Sequence, residues 1–178
     1  MDHDRSLAPS PFPGDQGLAD PGTRRAMAAA VGGGDASNYL RAVAALCQDR
    51  LLVPVVATAT RLGETVGGLS SDKEAEMSVV MLQAADGRRA LLAFTGLDSL
   101  QAWQGEARPV AVTLDRAAQT AVAEGVAALL VDFAGPHPLV LEGDVLASLA
   151  AGRRLVETEP GVFGWMVTAG QDAGAAEA

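Results

Sequence analysis

The middle of the chain, residues 77–149, consists of short apolar runs separated by turn residues. Two of these runs, 77–83 and 89–94, flank the dipeptide Asp86-Gly87. Asp-Gly between two apolar runs is among the strongest local signals for a β-hairpin that closes through a two-residue type I′ turn. The pattern therefore predicts a hairpin over this stretch.

The two-residue turn also predicts the register of that hairpin. It places Met81 beside Leu92 and Val79 beside Phe94. One face of the hairpin would carry Val79, Met81, Ala90, Leu92 and Phe94, and the other would carry Val80, Leu82, Leu91 and Ala93. Because both faces are apolar, we expect the hairpin to be covered on both sides or to lie centrally in its sheet.

Upstream of the hairpin, the pattern predicts one amphipathic helix and one strand. The helix extends over residues 36–49, with Asp35 or Ser37 as its N-cap, because apolar residues recur there at spacings of three and four. The strand covers residues 51–57 and contains Pro54. Proline cannot donate to a ladder, so we expect this strand at a sheet edge or with a bulge.

Downstream, the pattern predicts a strand, a helix and a second strand. The first strand covers residues 109–114, Asp115 caps the helix, Gly125 ends it, and residues 126–133 form a buried strand. The buried side of the helix would consist of Leu114, Ala117, Ala118, Ala121 and Val122. A strand, a helix of about ten residues and a buried strand favour a βαβ unit.

Together these elements predict a mixed α/β (α+β) fold in a single compact domain, with a mixed sheet that includes the β-hairpin and one βαβ unit, and with helices packed on the sheet. Residues 1–34 are interpreted as a flexible N-terminal arm that contains a short helix, and residues 35–152 as the domain. Residues 153–178 are interpreted as a C-terminal extension with a disordered end. The polar, Gly-rich residues 60–76 are interpreted as a long loop, with disorder favoured.

Composition narrows the functional classes. The chain has 178 residues, of which 49% are hydrophobic, enough for a normal core. Its formal net charge of −9 disfavours nucleic-acid binding, because an acidic surface repels phosphate. No uncharged apolar run approaches the ~20 residues that cross a bilayer, and the acidic N-terminus is unlike a secretory signal. We therefore expect a cytoplasmic protein that binds neither nucleic acid nor membrane.

The sequence offers little for catalysis. Cys47 lies on the apolar side of its predicted helix, which is typical of a small buried hydrophobe. The two histidines, His3 and His137, lie in the predicted arm and between two prolines of a turn. Residues 32–34, a glycine triplet, follow a helix, whereas a phosphate-binding loop would follow a strand. We predict no catalytic residue, no cofactor and no metal site.

Three residues are candidates for a ligand or interaction surface. Asp132 lies within a hydrophobic strand, where a carboxylate must be paired or hydrogen-bonded, so it is either structural or part of a pocket. Thr95 ends the second hairpin strand and could line the same pocket. Trp103 lies outside the Ala/Val/Leu core and is either a core cap or an exposed interaction anchor.

Several segments resemble the SseB protein N-terminal domain family. They are the run Met77 to Leu82, the turn and strand Asp86 to Gly96 ending in Phe-Thr, a helix that carries Trp103, and the strand 127–134 that enters a Gly-Pro turn. The resemblance covers about residues 36–151. It implies a small α/β domain without an established enzyme activity, and it implies no catalytic residue.

From these observations we expect a non-enzymatic interaction or adaptor domain whose partner is another protein, with a homo-oligomer left open. The alternative is a regulatory domain that binds a small molecule, such as an amino acid or a related metabolite. A pocket lined by Asp132 and Thr95 would favour the ligand, and a flat apolar patch around Trp103 would favour the partner.

Overall fold

The computed structural model describes residues 12–58 and 76–167. Within these residues the helices are α1 (Pro21–Gly33), α2 (Ala36–Leu46), α3 (Leu97–Trp103), α4 (Leu114–Ala123) and α5 (Gly143–Ala150). The strands are β1 (Arg50–Thr58), β2 (Glu76–Val79), β3 (Met81–Gln83), β4 (Arg89–Ala93), β5 (Arg108–Thr113), β6 (Ala128–Val131), β7 (Leu139–Glu142), β8 (Arg153–Glu159) and β9 (Val162–Val167). Residues 1–11, 59–75 and 168–178 lie outside the described residues. The second of these ranges contains the predicted loop except for its last residue, Glu76.

The strands form a mixed arrangement, which confirms the predicted α/β class. One sheet has the order β2-β1-β5 and a second has the order β3-β4-β6-β7. A bridge between Leu52 and Phe94 joins them, so β1 and β4 are neighbours. Helices α1, α2, α4 and α5 supply buried residues to the main core on one side of the strands. On the other side, α3 contributes Leu100 to a smaller apolar cluster.

The predicted hairpin register was wrong by one residue. Met81 pairs with Leu91, and the Ala84 N–H donates to the Arg88 carbonyl at 2.8 Å, so the loop has three residues rather than two. Gly87, with φ of +85°, lies at the left-handed position that such a loop requires. The shift places Leu91 and Ala93, rather than Leu92 and Phe94, on the same face as Met81, and this face packs in the main core.

The prediction that Pro54 places β1 at a sheet edge or in a bulge was also wrong, because β1 is flanked by two strands and its register with β5 is unbroken through Pro54. β1 lies between β2 and β5, with Pro54 opposite Pro109. The Pro54 carbonyl accepts from the Val80 N–H, but Pro54 has no N–H to return, and the Val80 carbonyl instead accepts from Leu92. The chain therefore leaves β1 at Val80 and joins β4, which divides the predicted strand into β2 and β3.

The elements of the predicted βαβ unit are present, but their pairing differs. β5 pairs with β1, and the parallel neighbour of β6 is β4. Helix α4 has Thr113 as its N-cap, two residues earlier than the predicted cap at Asp115. Val122, predicted to be buried, is 52% exposed, whereas Gly125 has φ of +63° and ends the helix as predicted.

The predicted N-terminal arm differs from the structure in its second half. The predicted short helix is α1, and Asp20 caps it by accepting from the Thr23 N–H. However, α1 packs along α2, and Met27 is fully buried in the main core. The predicted boundary at residue 34 therefore falls between two helices that pack on the same core.

Residues 153–167, which were interpreted from the sequence as part of a C-terminal extension, form a hairpin. β8 and β9 pair as an antiparallel two-stranded sheet. Leu155 inserts into the main core, and the Arg41 guanidinium on α2 forms an ion pair of 2.7 Å with Glu157. No helix of the described ranges has the length and apolar character needed to cross a membrane.

Candidate functional site: a buried carboxylate cluster and an open sheet face

Asp132 follows directly after β6 and combines a buried carboxylate with an unusual backbone conformation. It is 1% exposed, and its φ of +52° lies in the left-handed region, which Asp tolerates better than most residues. Its backbone N–H donates to the Ala93 carbonyl at 2.9 Å, and its carbonyl accepts from the Gly135 N–H at 2.8 Å. A Cβ at Gly135 would lie 3.1 Å from the Asp132 Cβ, so glycine fits this tight turn best.

The Asp132 carboxylate is fully hydrogen-bonded. Its Oδ1 accepts from the Thr95 N–H at 2.8 Å and from the Ser99 hydroxyl at 2.6 Å. Its Oδ2 accepts from the Thr95 hydroxyl at 2.6 Å and lies 3.2 Å from Nε of Arg24. These partners compensate for the removal of the carboxylate from water. The polar residues thus stabilise the turn, and none of the carboxylate's capacity is left for a ligand.

Arg24, on α1, connects this cluster to the surface. Its Nε donates to the Thr95 hydroxyl at 2.6 Å, and its Nη2 donates to Asp98 at 2.8 Å. The Asp98 side chain is 67% exposed, and the adjacent Arg24 guanidinium lowers the pKa of that carboxyl below its usual range. Arg24 is 71 residues from Thr95 in sequence, so no local pattern pointed to the contact.

A second arginine, Arg50, binds the other side of Thr95. Its Nη1 donates to the Thr95 carbonyl, its Nη2 donates to the Leu18 carbonyl at 2.7 Å, and its Nε donates to Asp15 at 2.7 Å. The hydrogen bond from Arg50 lowers the pKa of Asp15. Thr95 is fully buried, with its N–H, hydroxyl and carbonyl all bonded, so it joins the N-terminal segment to the end of the sheet.

Trp103 packs against the fold and is partly buried. Its ring stacks on Phe94, with 5.6 Å between the ring centroids and 25° between the planes. Leu100 and Leu97 complete the cluster that it covers. Of its two predicted roles, this geometry corresponds to the cap on the core.

Cys47 and His137 lie in different parts of the fold. Cys47 is 8% exposed, and burial raises the pKa of its thiol, which disfavours the thiolate. His137 lies in the turn between β6 and β7. Among residues 12–58 and 76–167, no group of three or more His, Cys, Asp or Glu side chains is arranged to hold a metal ion.

A groove lies on the open face of the four-stranded sheet, on the side away from the main core. The alternation that buries Leu91, Leu129 and Leu141 directs their neighbours to this face. We call "the open groove" the cavity of about 410 Å³ that is lined by the apolar residues Leu82, Ala90, Ala128, Leu130, Phe133 and Val140 and by the charged residues Arg88, Arg89 and Glu142. Ala90 pairs with Ala128, and these two small side chains on adjacent central strands make the sheet surface concave.

The structure therefore defines a mixed α/β domain with a buried structural carboxylate cluster and an uncovered apolar sheet face. The family model of the SseB protein N-terminal domain matches residues 24–148, more than half of the chain. The chain belongs to this family, which confirms the resemblance seen in the sequence. Comparison with curated proteins and with solved structures found no match.

Proposed function

We propose that this protein is a non-enzymatic, cytoplasmic interaction domain that binds an apolar segment of another protein in the open groove. The groove carries the proposal. Phe133 is 47% exposed and Val140 is 42% exposed, and both flank the alanine floor of one continuous apolar depression. An exposed apolar surface with a polar rim is typical of protein interaction sites.

The position of the groove supports this role. Sheets usually bury both apolar faces, and here helices cover only one face of the β3-β4-β6-β7 sheet fully. A docked segment would remove Val140 and Phe133 from water and would gain about 25 cal/mol for each Å² of apolar surface that it covers. Arg88, Arg89 and Glu142 also line the groove and offer charges of both signs for orienting the segment.

The contacts of the polar residues support a non-enzymatic role. General acid–base or nucleophilic chemistry requires a group that reaches substrate with a free proton or lone pair. Asp132 and Thr95 are buried with every oxygen occupied, and Cys47 lies in the core. None of these three lines the open groove.

A small-molecule ligand is the second candidate, favoured by the size of the groove. Its volume of about 410 Å³ lies within the range of small-ligand pockets, about 300–1,000 Å³. The ligand would then lie over Ala90 and Ala128 rather than beside Asp132, where the sequence had placed it.

Two exposed valines on opposite sides of the molecule provide the test. Val140 lines the open groove, and Val122, on α4, does not. The tagged full chain and the variants Val140→Asp and Val122→Asp would be purified from the native host, after circular dichroism shows that both variants fold. We expect co-purifying protein to be lost with Val140→Asp and kept with Val122→Asp.

Equal recovery of the same partners with both variants would contradict the proposal. Native mass spectrometry of the same samples separates the two candidates. A bound compound of low mass that is absent only from Val140→Asp would favour the small-molecule function.

A further inference from the structure

Strand β9 exposes an unusual concentration of apolar surface. Its residues, Val162-Phe163-Gly164-Trp165-Met166-Val167, include no charged side chain. Met166 is 57% exposed, Val167 69%, Val162 51% and Trp165 36%. A chain with a net charge of −9 has enough charged residues to protect an edge strand, yet none lies on β9.

β9 is also an edge strand that is held firmly in place. In the described part of the chain it pairs only with β8, in a sheet of two strands. Leu155 fixes β8 in the main core, Glu157 binds Arg41, and the Arg41 guanidinium lies 6.0 Å from the centroid of the Phe163 ring. Two-stranded sheets gain stability when further strands are added. This hairpin follows the family match, which ends at residue 148.

We infer that β9 is the interface between two copies of this chain, which pair antiparallel through β9 to form a continuous sheet of four strands. The two-fold axis passes through Gly164. Such an axis stands perpendicular to the sheet and keeps each side chain on its own face, so paired residues must be an even number of positions apart. With Gly164 opposite its own copy, Phe163 lies opposite Trp165 of the second copy, and Val162 lies opposite Met166.

The composition of β9 is self-complementary in this register. Phe163 and Trp165 form an aromatic cross-strand pair on each side of the axis, and Val162 and Met166 form an apolar pair on the other face. Gly164 lies at the centre of the face that carries Val162 and Met166, and its lack of a side chain leaves room for those two side chains from both copies. Because β9 carries no charge, no like charges meet across the axis.

The first test is the mass of the full-length protein in solution. Sedimentation equilibrium should show a monomer of 18.1 kDa in concentration-dependent exchange with a dimer. Met166→Lys places two ammonium groups at the interface and should raise the dissociation constant of the dimer by about tenfold or more. Val122→Lys, on an exposed valine of α4, should leave it unchanged. A monomer up to millimolar concentration, or a dimer that withstands Met166→Lys, would overturn the inference.

The second test measures the register. A Cβ at Gly164 would meet only Thr158 Cγ2, at 3.9 Å, so Gly164→Cys fits the hairpin. Directly opposed strand residues have Cα atoms about 4.5–5.5 Å apart, within the disulfide range. Met166→Cys is the control, since the two copies of residue 166 would be four residues apart along the strand, about 13 Å.

Under mild oxidation, Gly164→Cys should form a covalent dimer and Met166→Cys should not. Cys47 is 8% exposed and does not compete. Equal cross-linking of the two variants, or none with Gly164→Cys, would overturn the proposed register.

Discussion

The most direct test of the buried cluster is Asp132→Ala. The substitution deletes the acceptor for the Thr95 N–H, the Thr95 hydroxyl and the Ser99 hydroxyl, and it removes the buried ion-pair partner of Arg24. It also places alanine at a φ of +52°, where the aspartate side chain is better tolerated.

The magnitude follows from these contacts. Hydrogen bonds to a charged group contribute about 1.5–3 kcal/mol each, and the effects of groups in one network are not additive. Removing one partner of a buried ion pair costs about 3–5 kcal/mol. We therefore expect Asp132→Ala to lower the free energy of unfolding by about 3–5 kcal/mol, a large part of the ~5–15 kcal/mol of an ordinary domain.

Asp98→Ala is the matched control, because both carboxylates bind Arg24 but Asp98 is 67% exposed. Exposed ion pairs contribute about 0–1 kcal/mol, so we expect a loss below ~1 kcal/mol. Urea unfolding followed by circular dichroism measures both variants. If Asp132→Ala cost no more than Asp98→Ala, the carboxylate would not be stabilising the turn as described.

Three further predictions concern other contacts. Arg41→Met should raise the pKa of Glu157 from about 2 towards its ordinary 4.5, because the hydrogen bond from Arg41 is the largest cause of the lowered value, with the Gly161 N–H as the second. A lowered carboxyl pKa stabilises the fold above the unfolded value, and this contribution is lost as the pH falls from 4.5 towards 2. Carboxyl NMR measures the pKa in both proteins, and a wild-type titration near 4.5 would contradict the contact. Gly87→Val should cost about 1–2 kcal/mol by forcing a β-branched residue to a φ of +85°, and an unchanged melting temperature would refute the three-residue loop. Arg50→Met should speed amide hydrogen exchange around Asp15, and unchanged protection there would show that the guanidinium does not hold that segment.

The sequence predicted the elements of the domain better than their pairing. Helix α2 and strand β5 follow from the periodicity of apolar residues, which is a local signal. The pairing of β4 with β6 is not local, since it joins residues more than 35 positions apart. The hairpin register failed because Asp86-Gly87 supports both a two-residue and a three-residue loop, and only the packing of Leu91 in the core selects between them.

The candidate site was predictable only in part. The polar character of Asp132 in an apolar strand correctly indicated a paired, buried carboxylate, and Thr95 was named with it. Arg24 and Arg50 were missed, because their partners lie far away in sequence and arginine side chains are usually solvated. The open groove was missed because its floor consists of alanines, which carry no signal of their own.

The contacts of Arg50 mean that the folding unit extends beyond the homologous unit. The family match begins at Arg24, yet Asp15 and Leu18 supply acceptors for the Arg50 guanidinium, which is 7% exposed. A fragment that begins at residue 24 would keep the buried Arg50 guanidinium but would lack the Asp15 carboxylate that pairs with it. The range of the family match and the range that the fold needs therefore begin at different residues. An isolated domain should include Asp15 and Leu18 and should not begin at residue 24.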